Sequence, residues 1–206
     1  MTLGEVLYII ATFLLGSLPF SVWIGRLALQ KDIRSYGDGN PGTFNVIRAG
    51  GLGWGALALI LDICKSAVPV GLAAYIFDIT GLPLVLISVA APFGHAFSPF
   101  LGFKGGKALA SIAGTWIGLT LMEVFLVGII MLTYWYFALV ASGWAVMFAS
   151  ASMLVYMLLT AAPMLWFAVW VILTLLAIYK HREELRTLPR FRMTPLLRPL
   201  FRSLEL

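Results

Sequence analysis

Apolar runs long enough to cross a lipid bilayer recur along this chain from one end to the other. A hydrocarbon core about 30 Å thick takes about 20 residues of α-helix. The runs fall at about 3–29, 54–77, 82–101, 106–121, 124–140, 142–159 and 163–180. The fourth is short and needs tilt or local thinning of the bilayer. Backbone polar groups find no water in hydrocarbon, so only helices and closed barrels span it. No stretch alternates apolar and polar residues with period two over barrel-strand lengths. The expected fold is all-α: a polytopic membrane protein of seven transmembrane helices forming one domain, residues 1–206. A chain that is 61% hydrophobic and only 11% charged fits no water-soluble domain of this size. The first run reads as a retained span and not a cleavable leader. It lacks a basic start, and Gly16-Ser17-Leu18-Pro19 sits inside a run that continues past it.

Charge then orients the spans. Arg26, Lys31, Arg34, Arg48, Lys104, Lys107, Lys180 and the basic tail fall on one side of the seven-span arrangement. Glu5, Asp78 and Glu123 fall on the other, and Lys65 lies within a span. The positive-inside rule makes the first side cytoplasmic, with the N-terminus outside and the C-terminus cytoplasmic. The net charge of +5 therefore speaks for anionic headgroups and membrane lipids as partners, and against nucleic acid. Cys64 is the single cysteine, so no intrachain disulfide or cysteine-based metal site is expected. His95 and His181 are far apart in sequence, and neither a metal nor a cofactor is expected.

Three polar stretches converge on the cytoplasmic side. The first is Gly94-His95-Ala96-Phe97-Ser98-Pro99-Phe100-Leu101-Gly102-Phe103-Lys104-Gly105-Gly106-Lys107. Glycines let backbone N–H groups approach an anion, and the two lysines add charge. Lys107 is expected in the first turn of the next helix, where the dipole also favours an anion. A basic loop that only fixes topology is the alternative reading. The second stretch, 30–51, is too rich in Gly and Asn for a regular helix and too long for a simple connection. It is expected to fold back on the bilayer face and offer amides, Asn side chains and Arg48 to a polar ligand. The third, 180–186, ends the last span. Beyond it Arg190, Arg192, Arg198 and Arg202 interleave with leucines as an expected interfacial amphipathic segment. Within the spans, Asp62 and Lys65 share a helix face and read as a buried pair that orients the bundle. His95, between Pro92 and Pro99, is a site candidate or a hydrogen-bonded core residue.

In order along nearly the whole chain, these stretches resemble the PlsY family of acyl-phosphate:glycerol-3-phosphate acyltransferases. The resemblance is carried by Gly16-Ser17-x-Pro19-Phe20, by Asp32-x-Arg34-x-x-Gly37-x-Gly39-Asn40-x-Gly42-x-x-Asn45-x-x-Arg48, and by Leu61-Asp62-x-x-Lys65. Gly94-His95-x-Phe97, Phe103-Lys104-Gly105-Gly106-Lys107, Ala141-Ser142 and Lys180-His181-Arg182-Glu183 complete it. It implies a multi-pass enzyme of the bacterial plasma membrane in phospholipid biosynthesis. Such an enzyme moves a fatty acyl group from acyl phosphate to the 1-hydroxyl of glycerol 3-phosphate, giving lysophosphatidic acid, with no covalent acyl-enzyme. The implied donor-phosphate residues are Gly37, Asp38, Gly39, Asn40, Gly42 and Asn45. Those implied for glycerol 3-phosphate are Arg48, Lys107, Ser142, His181 and Glu184, supported by Lys104, His95, Asp62 and Lys65. The acyl-phosphate-forming enzyme is an implied partner protein. This chain carries Asp38 where the family has Ser, and Glu184 where it has Asn. These acids keep two further readings open: a related acyltransferase with a non-phosphorylated acceptor, and a non-catalytic membrane paralogue.

Overall fold

A computed structural model describes residues 1–192, which fold as helices and turns with one isolated bridge between extended residues, Leu139 and Phe191. The basic amphipathic segment expected around Arg198 and Arg202 lies outside the described residues. The helices are α1 (Leu3–Ser17), α2 (Phe20–Trp23), α3 (Thr43–Gly50), α4 (Leu52–Tyr75), α5 (Gly81–Ala96), α6 (Leu109–Thr120), α7 (Glu123–Ala138), α8 (Ser142–Leu159) and α9 (Met164–Leu185). Five segments are long and apolar enough to cross a membrane: Leu3–Ala28, Leu52–Tyr75, Gly81–Leu101, Ser142–Leu159 and Met164–Leu185. The apolar helices α6 and α7 are shorter.

Proline places one break in regularity. Leu18, forced extended by Pro19, ends α1, and the chain resumes as α2 and a π-helical turn, Ile24–Ala28. Pro92, by contrast, sits inside α5 without breaking it. The Ser88 carbonyl that loses its helical donor accepts instead from Thr115 Oγ1 at 2.8 Å.

Small residues bring the helices close. A Cβ at Gly16 would overlap the Ala91 backbone, and one at Gly94 would overlap the Phe13 carbonyl, so α1 and α5 touch main chain to main chain. Gly114 and Gly118, one turn apart on α6, meet the carbonyls of Ile63 and Ala67 on α4 in the same way. Lipid tails are as apolar as leucine, so such contacts and polar links carry the packing. Tyr8 donates to the Pro69 carbonyl at 2.9 Å, Tyr75 to the Leu119 carbonyl at 2.7 Å, and Ser98 to the Ser17 carbonyl at 2.6 Å. The main apolar core includes Val70, Ile87, Trp116, Met157 and Leu173. Outward faces carry exposed Ile60, Val68, Leu126, Ile130, Val155 and Leu175.

The stretch 30–51 corrects one expectation. Residues 43–50 are a regular helix, α3, seated on Val46 and Ala49, which bury against Val22, Ile24 and Ala58. Only its first half is irregular, with a 3-10 turn at Ile33–Ser35. No glycine falls between 43 and 49, and the apolar spacing there has helical period.

Candidate active site

Lys107 is the hub. Its Nζ lies 3.0 Å from Asp38 Oδ2 and 2.7 Å from Glu184 Oε1, joining the 37–42 loop to the end of α9. It stands two residues before α6 and not in the first turn, because Ala108 takes a left-handed conformation at the N-cap. Its backbone N–H is also spoken for, donating to Asn40 Oδ1 at 3.1 Å. The expected offer of a helix terminus to an anion is therefore not made at Lys107.

The 37–42 loop is shaped from within. Asn45 on α3 is buried, and its Nδ2 donates to the Asn40 carbonyl at 2.9 Å and to Asp38 Oδ1 at 3.2 Å. Arg48, one turn on, donates to Asn45 Oδ1 at 2.8 Å. Gly37 has φ +55°, and a Cβ there would overlap the Arg48 guanidinium, so glycine is required twice over. Burial opposes ionisation of Asp38, but Lys107, the Asn40 amide and Asn45 outweigh it and hold the carboxyl below its ordinary range. Burial also opposes the charge on Lys107, yet Glu184 and Asp38 outweigh it and hold the ammonium above its ordinary value.

The other half of the site hangs on α9, which runs five residues past the expected end of its span. The Glu184 carboxylate collects Lys107, Ser142 Oγ at 2.6 Å, the Gly143 backbone N–H at 2.5 Å, and His181 Nδ1 at 3.2 Å. These are the donors a phosphate would use. His181 is 2% exposed, and its Nε2 has no partner among the described residues. Sequence reasoning missed Gly143, whose only signal is its place in the first turn of α8. It also gave Lys180 no role. Lys180 Nζ holds the Ala96 carbonyl at 2.8 Å and the Gly105 carbonyl at 3.1 Å, pinning the glycine turn from behind.

The remaining expected residues separate from this cluster. Lys104 is exposed, and its side chain hydrogen-bonds no described residue. Asp62, Lys65 and His95 form a second, buried group behind the loop, with Lys65 Nζ 2.7 Å from Asp62 Oδ1 and 2.8 Å from His95 Nδ1. Among the described residues, no group of three or more His, Cys, Asp or Glu side chains is arranged to hold a metal.

An apolar slot opens between α6, α7, α8 and α9, lined by Leu109, Trp116, Gly128, Ala149, Met153 and Ala177. Leu109 follows Lys107 by two residues, and Ala177 precedes His181 by one helical turn. The slot therefore starts directly beneath the polar cluster. It runs from Leu109 to Trp116 along α6, roughly 10 Å.

Known proteins resemble the chain over most of its length. Residues 6–190 match the family described as glycerol-3-phosphate acyltransferase. A glycerol-3-phosphate acyltransferase of Lactococcus lactis subsp. lactis is 31% identical over 188 residues, 88% of each chain. One from Pseudoalteromonas translucida is 36% identical over 188 residues, 90% of this chain and 89% of its own. The crystal structure of PlsY, an integral membrane glycerol 3-phosphate acyltransferase, in its glycerol 3-phosphate form superposes with a TM-score of 0.81. It is 28% identical, and the match covers 96% of this chain and 99% of that one. The lysophosphatidic acid form gives a TM-score of 0.78 over 89% and 90%.

Proposed function

This chain belongs to the glycerol-3-phosphate acyltransferase family, and we propose that its Lys107-centred cluster seats the phosphates of two substrates, an acyl phosphate and glycerol 3-phosphate. The protein is an acyltransferase of phospholipid synthesis, a multi-pass protein of the bacterial plasma membrane that makes lysophosphatidic acid from glycerol 3-phosphate. The donor, the site residues and the finer topology are the proposal.

The reaction needs positioning more than activation. Acyl phosphate is a mixed anhydride with a good leaving group. The 1-hydroxyl oxygen of glycerol 3-phosphate attacks the acyl carbon, the bond from that carbon to the phosphate oxygen breaks, and a phosphate oxygen takes the hydroxyl proton. Gly37, Gly39, Gly42, Asn40 and Asn45 hold the donor phosphate. Lys107, Arg48, Ser142 and His181 hold the acceptor phosphate. Glu184 and Asp38 occupy those donors before substrate arrives and must yield them to it. The acyl chain lies in the slot between α6 and α9. One observation carries the reading: residues 38, 107, 142 and 184, distant in sequence, meet around one ammonium above an apolar slot.

The same meeting supports seven spans, with α6 and α7 as short ones. The loops before α3 and α6, the start of α8 and the end of α9 all reach one face, as alternate crossings require. That face carries the lysines and arginines and is taken as cytoplasmic, with the N-terminus outside.

Folded protein reconstituted in lipid and given acyl phosphate and glycerol 3-phosphate should release inorganic phosphate and form lysophosphatidic acid, and Lys107→Met should do neither. A wild type silent with both substrates defeats the reading. The carboxylates on Lys107 favour one rival, a neutral or cationic acceptor. Turnover with a polyol or an amine in preference to glycerol 3-phosphate would select it.

A further inference from the structure

Lys65 makes three hydrogen bonds with its three protons: to Asp62 Oδ1 at 2.7 Å, the Leu18 carbonyl at 3.1 Å and His95 Nδ1 at 2.8 Å. An ammonium has no lone pair, so it cannot accept from the imidazole. Nδ1 must therefore be the proton-free nitrogen, and a neutral His95 carries its proton on Nε2. Asp62 is held in turn by Ser21 Oγ at 3.1 Å. Asp62 is 2% exposed and Lys65 3%, so the pair is fixed in geometry.

Nε2 faces the site. A Cβ at Gly106 would overlap it, and the same Cβ would lie 3.5 Å from Asn40 Oδ1. A small cavity lined by His95, Lys65, Pro41 and Gly106 lies there, under the 37–42 loop. No described residue accepts from Nε2. A buried ion pair seldom stabilises a bundle better than apolar residues of the same volume. Its place inside one span, α4, beside His95 of α5, points to a local task.

We infer that His95 is an anion-binding residue, presenting a tautomer-locked Nε2–H to an oxyanion in the 37–42 loop, and that Lys65 and Asp62 are positioning residues that set the lock. This rests on the reading of that loop as the donor-phosphate seat. The donor is an uncharged imidazole N–H, held in place by the ammonium against its other nitrogen.

Histidine-selective nitrogen labelling tests it, since the chain has two histidines and a His181→Asn variant assigns them. His95 should show a bare Nδ1 and a protonated Nε2, unchanged between about pH 6 and 9, and inorganic phosphate should shift Nε2. Lys65→Met should mix the tautomers and weaken phosphate binding roughly tenfold. His95→Gln, which keeps an N–H near the Nε2 position, should bind phosphate better than His95→Leu. A protonated Nδ1, a titrating ring, or an Nε2 blind to phosphate overturns the inference, even in a protein that turns over acyl phosphate. A phosphate-responsive Nε2 in a protein without turnover keeps the anion seat and defeats the transfer reading instead.

Discussion

Lys107 and Glu184, 77 positions apart in sequence, meet at 2.7 Å. With Asp38 on the other side of the ammonium, the cation is already matched by two anions. On the proposed reading, an incoming phosphate takes over Lys107, Ser142 and the Gly143 amide from the Glu184 carboxylate.

Glu184→Gln should therefore tighten the acceptor. The amide keeps the shape and loses the charge, so KM for glycerol 3-phosphate should fall roughly tenfold, about 1.4 kcal/mol. Initial rates at varied glycerol 3-phosphate measure it. A KM that rises would make Glu184 a substrate ligand.

Asp38 predicts an acid limb. Its folded pKa is depressed, so its stabilisation is present above the unfolded value, about 3.9, and is lost as pH falls through the lower folded one. The carboxylate is half exposed, which limits the effect to about 1 kcal/mol. Thermal melts from neutral pH down to about pH 3 should show wild type losing stability relative to Asp38→Asn. Parallel curves would mean that the Lys107 contact contributes nothing.

Filling the slot should change donor choice. Ala149→Phe places a ring on the α8 wall of the slot, one turn before Met153. Rates with long acyl phosphates should fall at least tenfold relative to short ones, with KM for glycerol 3-phosphate unmoved. Equal losses for all donors would place the acyl chain elsewhere.

Main-chain contacts predict the least tolerant positions. Gly16→Val and Gly114→Val force side-chain atoms into opposing backbone and should cost about 3 kcal/mol or more. Gly53→Ala, with nothing within 4 Å, should be near neutral. Melting temperatures in detergent rank the three.

Much of this was legible in the residues. The five long apolar helices and the two shorter ones followed from apolar run length, and the polar stretches around 38, 107 and 184 do meet as expected. Three features were not legible. The helix at 43–50 was hidden because its glycine-rich approach dominated the window. The site of Lys107 before α6 depends on a left-handed Ala108, a conformation that alanine does not advertise. The roles of Asp38 and Glu184 depend on which way two carboxylates turn, and chain order carries no record of that.

The two halves of the bundle are joined differently. Between α1 and α5, and between α4 and α6, backbone rests on backbone at glycine. The far side, where α7, α8 and α9 fan around an apolar slot, is held mostly by side chains. An acyl chain in that slot would press on side chains, which can change rotamer, while the charged cluster's scaffold on the other side rests on main chain, which cannot.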